Sequence, residues 1–127
     1  MEIIAALFVE KFDMRQIAGP STRFDLQGVF FSVPAAEFPA QVTPHLLVFV
    51  RAPADDSGTA TFEAVFKRDG EQIARNVQPV TVDPGKFGFR LVRPELEFPE
   101  PGTVEAHCTI VESGSRVVVP LSVIVAT

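Results

Sequence analysis

Hydrophobic and polar residues alternate along much of the chain, and that alternation predicts strands. From Thr59 to Lys67, Ala60, Phe62, Ala64 and Phe66 share one face, and Thr61, Glu63, Val65 and Lys67 take the other. Asp69-Gly70 follows, a pair suited to the positive φ angles of a type I′ turn. Gln72 to Val77 is therefore expected to return as the second strand of a hairpin, with Ile73, Arg75 and Val77 opposite Ala74 and Asn76. A second hairpin is predicted where Val104, Ala106, Cys108 and Ile110 alternate with Glu105, His107, Thr109 and Val111. Ser113-Gly114 closes its turn, and Val117, Val119, Leu121, Val123 and Val125 carry the return strand. Pro120 has no amide hydrogen to give a ladder, so this strand is expected at an edge or with a bulge.

Further strands are expected at Glu2 to Phe12, Arg23 to Val33, Val80 to Val82 and Lys86 to Arg93, the last after an Asp83-Pro84-Gly85 turn. His45 to Ala52 is apolar on both faces and reads as a central strand. Ala35 to Thr43 reads as an irregular crossover with room for a short helical turn. Pro and Gly recur too often for long helices, and turn signals come about every ten residues. The expectation is a single domain over residues 1–127. It is an all-β sandwich of about eight or nine strands in two antiparallel sheets.

Composition narrows the function. The 127 residues suffice for one domain, and 46% hydrophobic against 21% charged residues excludes a disordered tail or a coiled coil. A net charge of −5 argues against a nucleic-acid binder, which needs a cationic surface. The run Ile3 to Val9 is preceded by Glu2 and ended by Glu10. It lacks the cationic start of a secretory signal and is too short to cross a bilayer. With a lone cysteine, Cys108, the chain is expected in the cytoplasm and off the membrane.

Candidate chemistry is sparse. His107 and Cys108 are neighbours on a strand and point to opposite faces, so they do not converge on one metal. Cys108 falls inward beside Ala106 and Ile110, away from the electropositive setting a nucleophile needs. None of the serines sits in a Gly-x-Ser-x-Gly elbow. Asp55-Asp56-Ser57-Gly58 lacks the ligand spacing of a calcium loop and reads as a solvated turn. Glu95, Glu97 and Glu100, among prolines, read as an exposed acidic loop. No glycine-rich phosphate loop is present. Arg68, Arg75, Lys86, Arg90 and Arg93 could form a small basic patch, although charged outer sheet faces look the same. The absence of Trp and Tyr counts against sugar recognition. The chain is therefore expected to have no catalytic residues, no metal site and no cofactor, and not to be an enzyme.

The entry Pro99-Glu100-Pro101-Gly102-Thr103-Val104-Glu105 is similar to the corner before a late strand of immunoglobulin-like sandwiches, and Phe66-Lys67-Arg68-Asp69-Gly70-Glu71 to a hairpin of the same superfold. With Gly28-Val29-Phe30, Glu37-Phe38-Pro39 and Pro44-His45-Leu46-Leu47-Val48, the chain resembles a family of small uncharacterised bacterial proteins of actinobacterial type. The resemblance implies an immunoglobulin-like sandwich and no assigned activity. The cysteine pair, the tryptophan pin and the tyrosine corner of true immunoglobulin domains are absent.

Apolar residues are in surplus. In a two-sheet sandwich only inward faces need be apolar. Here Leu26 and Phe30 oppose Val29, Phe31 and Val33. Val118 and Ile124 oppose the valine row of the last strand, and Ile4, Phe8 and Phe12 oppose Ile3, Leu7 and Val9. Left exposed, they would form a larger patch than soluble monomers tolerate. The expectation is a homodimer, or a complex with another protein, through an apolar sheet face or strand edge bearing Phe31, Val33, Val118 and Ile124. The crossover from Ala35 to Thr43 could instead cover that face. The alternative function is a small apolar-ligand carrier, with phenylalanines lining a cavity between the sheets and Arg51 or Arg90 at its mouth.

Overall fold

A computed structural model describes residues 1–17, 19 and 21–127. Its strands are β1 (Glu2–Ile17), β2 (Ser21–Val29), β3 (Ser32–Ala35), β4 (Ala40–Val42), β5 (His45–Arg51), β6 (Thr59–Arg68), β7 (Glu71–Thr81), β8 (Phe87–Val92), β9 (Leu96–Phe98), β10 (Gly102–Ile110) and β11 (Arg116–Val125). The protein is all-β, but with eleven strands in three sheets among the described residues rather than eight or nine in two. Strand orders are β2-β1-β5-β8, β3-β11-β10-β6-β7 and β4-β9. Neighbours run antiparallel except β3, which lies parallel to β11.

Both hairpins form as the alternation predicts. Asp69 and Gly70 have φ of 52° and 81°, as a type I′ turn requires. Val80 and Thr81 continue β7 instead of forming a separate strand. The segment expected as one strand from Arg23 to Val33 is two. The Phe30 amide donates to the Phe8 carbonyl, whereas the Phe31 carbonyl accepts from Ser122, so the chain changes sheets between these two residues. The Ala35 to Thr43 crossover holds β4 and no helical turn. β4 pairs with β9, which emerges from the expected acidic loop. Leu96 and Phe98 plug the core while Glu95, Glu97 and Glu100 stay in water.

Pro120 is accommodated at an interior strand. The Ser122 amide points toward β3, so the nitrogen of Pro120, two residues earlier, faces the same side. Pairing with β3 begins only at Ser122, so no ladder bond is lost. The facing edges β7 and β8 are blunted by side chains. Gln78 Nε2 donates to the Leu91 carbonyl at 2.9 Å, and Arg90 Nε to the Pro79 carbonyl at 2.9 Å.

Between the two large sheets, Phe8, Leu46, Val48, Phe62, Phe66, Phe98, Ile110 and Leu121 are fully buried. Large side chains sit beside small ones. Phe66 pairs with Ala106, and Ala64 with Cys108. Among the described residues no polar or charged residue is buried.

The bulge between Ile3 and Ala5 shifts the parity of β1. Ile3, Ala6 and Phe8 all reach the core, and Ile4 is left outside, so the expected grouping of Ile4 with Phe8 does not hold. Beyond Val9, which pairs with His45, β1 leaves β5 and pairs only with β2. There the hairpin bends. Gly28 has φ +68°, and a Cβ at that position would come within 2.6 Å of the Glu10 carboxylate. The resulting arm, built from residues 11–17 and 21–27, folds back over the outer face of the four-stranded sheet. Phe12 meets His45 edge-on at 6.0 Å, and Phe24 meets Phe49 at 5.3 Å and Phe89 at 4.8 Å. Leu47 lies between His45 and Phe49 on that face and is fully buried. The arm is amphipathic with the period of a strand. Phe12, Met14, Phe24 and Leu26 share one face, and Lys11, Asp13, Arg15, Arg23, Asp25 and Gln27 the other. Part of the apolar surplus is thus covered by a third layer, although the covering segment is not the crossover.

Leu47→Ala should therefore cost about 2–5 kcal/mol, as for a core leucine. Denaturant unfolding measures it; a cost no larger than that of an exposed leucine would mean the arm does not cover this face.

Candidate functional site

Among the described residues, the two most exposed phenylalanines, Phe31 and Phe87, mark two apolar surfaces. The first is the corner where the chain joins β11 to form β3. Phe31 is 71% exposed where the chain enters β3; farther along the same strand pair Ile124, paired with Pro34, is 49% exposed and Val125, paired with Ala35, is 56% exposed. Of the four residues expected at an interface, Phe31 lies at this corner and Ile124 is exposed farther along β11, opposite Pro34. Val118 projects from the same sheet face as Ile124, but Pro120 and Ser122 separate them, and it pairs with His107. Val33 turns inward and is half-buried against the core. It lines a hollow of about 380 Å³ with Val9, Phe30, Val42 and His45.

The second surface was not singled out by sequence reasoning. Between the arm and the sheet lies a groove of about 730 Å³, lined by Met14, Ser21, Thr22, Phe24, Phe49, Lys86, Phe87, Gly88 and Phe89. Phe87 is 70% exposed, and it shares a neighbouring hollow with Ile4, Ala5 and Phe49. The alternation of Phe87, Phe89 and Leu91 on one face was the available signal.

Seven of the twelve phenylalanines gather in two places. Phe8, Phe62, Phe66 and Phe98 fill the inter-sheet core, while Phe24, Phe49 and Phe89 form an aromatic cluster outside it. At the open β7–β8 edge a cleft of about 260 Å³ has Phe66 and Val92 inside and Arg75, Arg93 and Glu95 exposed around it. Arg51 pairs with Glu2 at 2.7 Å, and Arg90 is held by the Pro79 carbonyl. The basic residues are drawn apart by local partners. Arg75 pairs with Glu63, and Arg68 donates to the Glu97 carbonyl while lying over the Phe98 ring.

Cys108 is buried among apolar side chains, and that burial pushes its thiol up to about 12, far from a reactive thiolate. His107 lies on the outer sheet face. Arg116 donates to its Nδ1, which must accept because a guanidinium only donates, and Nε2 faces Glu105 at 3.3 Å. Among the described residues no group of three or more His, Cys, Asp or Glu side chains is placed to hold a metal ion, and no helix is long and apolar enough to cross a membrane. Comparison with protein-family models, with curated proteins and with solved structures finds no match.

The Asp55–Gly58 turn has a structural task. Asp56 accepts from the Met1 ammonium and from the Gly58 amide, and both hold its carboxyl below the ordinary value of 3.8. Glu112 accepts from the backbone and hydroxyl of Thr61, which hold it below 4.5. Each carboxylate binds its proton less readily in the folded state. The stability this gives is present in full above the unfolded values, and it is lost as pH falls through the lower folded ones. Asp56→Asn and Glu112→Gln should be less stable at neutral pH and lose less on acidification below pH 4.5, as read from thermal unfolding across pH. A variant with the unaltered acid limb would remove that residue from the linkage.

Proposed function

We propose that the protein is a non-enzymatic β-sandwich module that associates with a second copy of itself or with another protein. The observation that carries this reading is the Phe31 corner. A phenylalanine 71% exposed stands at the start of β3 in a chain that otherwise covers its aromatic residues, Phe87 apart, and Ile124 and Val125 are exposed farther along the same strand pair. Burying one such side chain stabilises a complex by roughly 1.5–3 kcal/mol. Blunting of the β7 and β8 edges disfavours strand addition on that side.

The reading includes an immunoglobulin-like arrangement and a cytoplasmic, bacterial setting. The order β7-β6-β10-β11 parallels C′-C-F-G of variable-type immunoglobulin domains, and β1-β5-β8 parallels A-B-E. A single, deeply buried cysteine suits a reducing compartment. An absence of enzymatic activity is supported by the buried Cys108 thiol and by His107 being engaged through both ring nitrogens.

Light scattering on the eluting protein at micromolar concentration should give twice the 13.8 kDa chain mass. Phe31→Asp should weaken the dimer by at least about tenfold, the loss expected for one buried aromatic. A wild-type species that stays at 13.8 kDa, with no partner protein retained, would sink the reading.

A second reading, a carrier of a small apolar ligand, is favoured by the aromatic groove of about 730 Å³ rather than by a cavity between the sheets. Saturable binding of the fluorescent arylsulfonate ANS, weakened about tenfold by Phe87→Ser, is its expected signature. Titration without saturation would dismiss it.

A further inference from the structure

We propose that the β1–β2 arm is exchangeable, so that in a dimer each copy lays its arm on the β5–β8 face of the other. This deepens the self-association reading and rests on it. The occupant of the aromatic face is then the arm of a second copy of this chain.

Three observations point to that occupant. First, among the described residues the arm's backbone is tied to the body only at its bend. Beyond Val9 its backbone pairs with itself, and among the described residues no hydrogen bond joins residues 11–27 to the rest of the molecule. What holds it down is the apolar contact of Phe12 and Phe24 with His45, Phe49 and Phe89. Such contact is non-directional, and an identical face on another copy satisfies it equally. Second, the bend turns on Gly28. A glycine tolerates the positive φ of the folded-back arm and also the extended backbone of a reaching one. Third, the arm covers its own face incompletely. Met14 on the arm is 53% exposed, and Phe87 and Ile4 on the body are 70% and 49% exposed, around an open groove. Exchange keeps every arm contact and brings a second body alongside these unburied residues.

Complementation tests the exchange. In full-length protein, Phe24→Ser spoils the arm and leaves the face intact, and Phe49→Ser does the reverse. Mixed, carried briefly through mild urea to allow arms to open, and returned to buffer, the two should form a heterodimer in which the intact arm of one chain rests on the intact face of the other. Native mass spectrometry should find that heterodimer at least tenfold above either homodimer. The pair Met14→Ser and Phe87→Ser, at exposed positions that leave folding unthreatened, should show the same preference. Statistical mixing of the chains, or monomers from a mixture whose wild type dimerises, overturns the exchange. If wild-type dimers persist in both arm variants and disappear with Phe31→Asp, exchange is wrong and the association reading stands. If the wild type forms no dimer, both fall.

Discussion

β5 needs apolar cover on both sides, and much of the molecule answers that need. Leu46, Val48 and Val50 face the five-stranded sheet, while Leu47 and Phe49 face the other way. A two-layer sandwich covers only the first set. The remaining face would lie in water but for the arm, which brings Phe12 and Phe24 across it. Edge-to-face aromatic pairs there add about 0.5–1.5 kcal/mol each beyond the area they bury. The length of β1, the bend at Gly28 and the polar outer row from Lys11 to Gln27 all follow from laying a strand pair over this face.

That same requirement explains which parts of the fold were legible in the sequence. The hairpins at Asp69-Gly70 and Ser113-Gly114 are local, and the period-two alternation of β6 and β10 assigns Phe62, Phe66, Ala106 and Cys108 to the core without ambiguity. The double-sided character of β5 was also readable. What covers it was not, because nothing in residues 11–27 taken alone distinguishes an arm that folds back from a strand that continues the sheet. The bulge at Ile3/Ala5 was equally hidden, and by shifting parity it exchanged the places of Ile4 and its neighbours. β4 and β9 escaped notice because three-residue strands leave almost no periodicity.

The candidate surfaces show the same divide. Surplus apolarity was visible, and Phe31 and Ile124 are indeed in water. Assigning the surplus to one surface required knowing where strands change sheets. The chain crosses between sheets at Phe30–Phe31, which sends Phe31 outward and Val33 toward the core. Phe87 was hidden for a different reason. Its alternation with Phe89 and Leu91 is the same whether the face is covered by an arm or by nothing.

The side-chain caps of Gln78 and Arg90 bear on how such a greasy molecule stays manageable. Each occupies a carbonyl on a facing strand with a hydrogen bond from its own chain, so the sandwich's open side offers little backbone template to a newcomer. The other outer strands of the two large sheets are β2 and β3. A bare strand edge regenerates itself with every molecule added, and at β7 and β8 that template is occupied. Strand-on-strand stacking from the β7–β8 side is accordingly disfavoured.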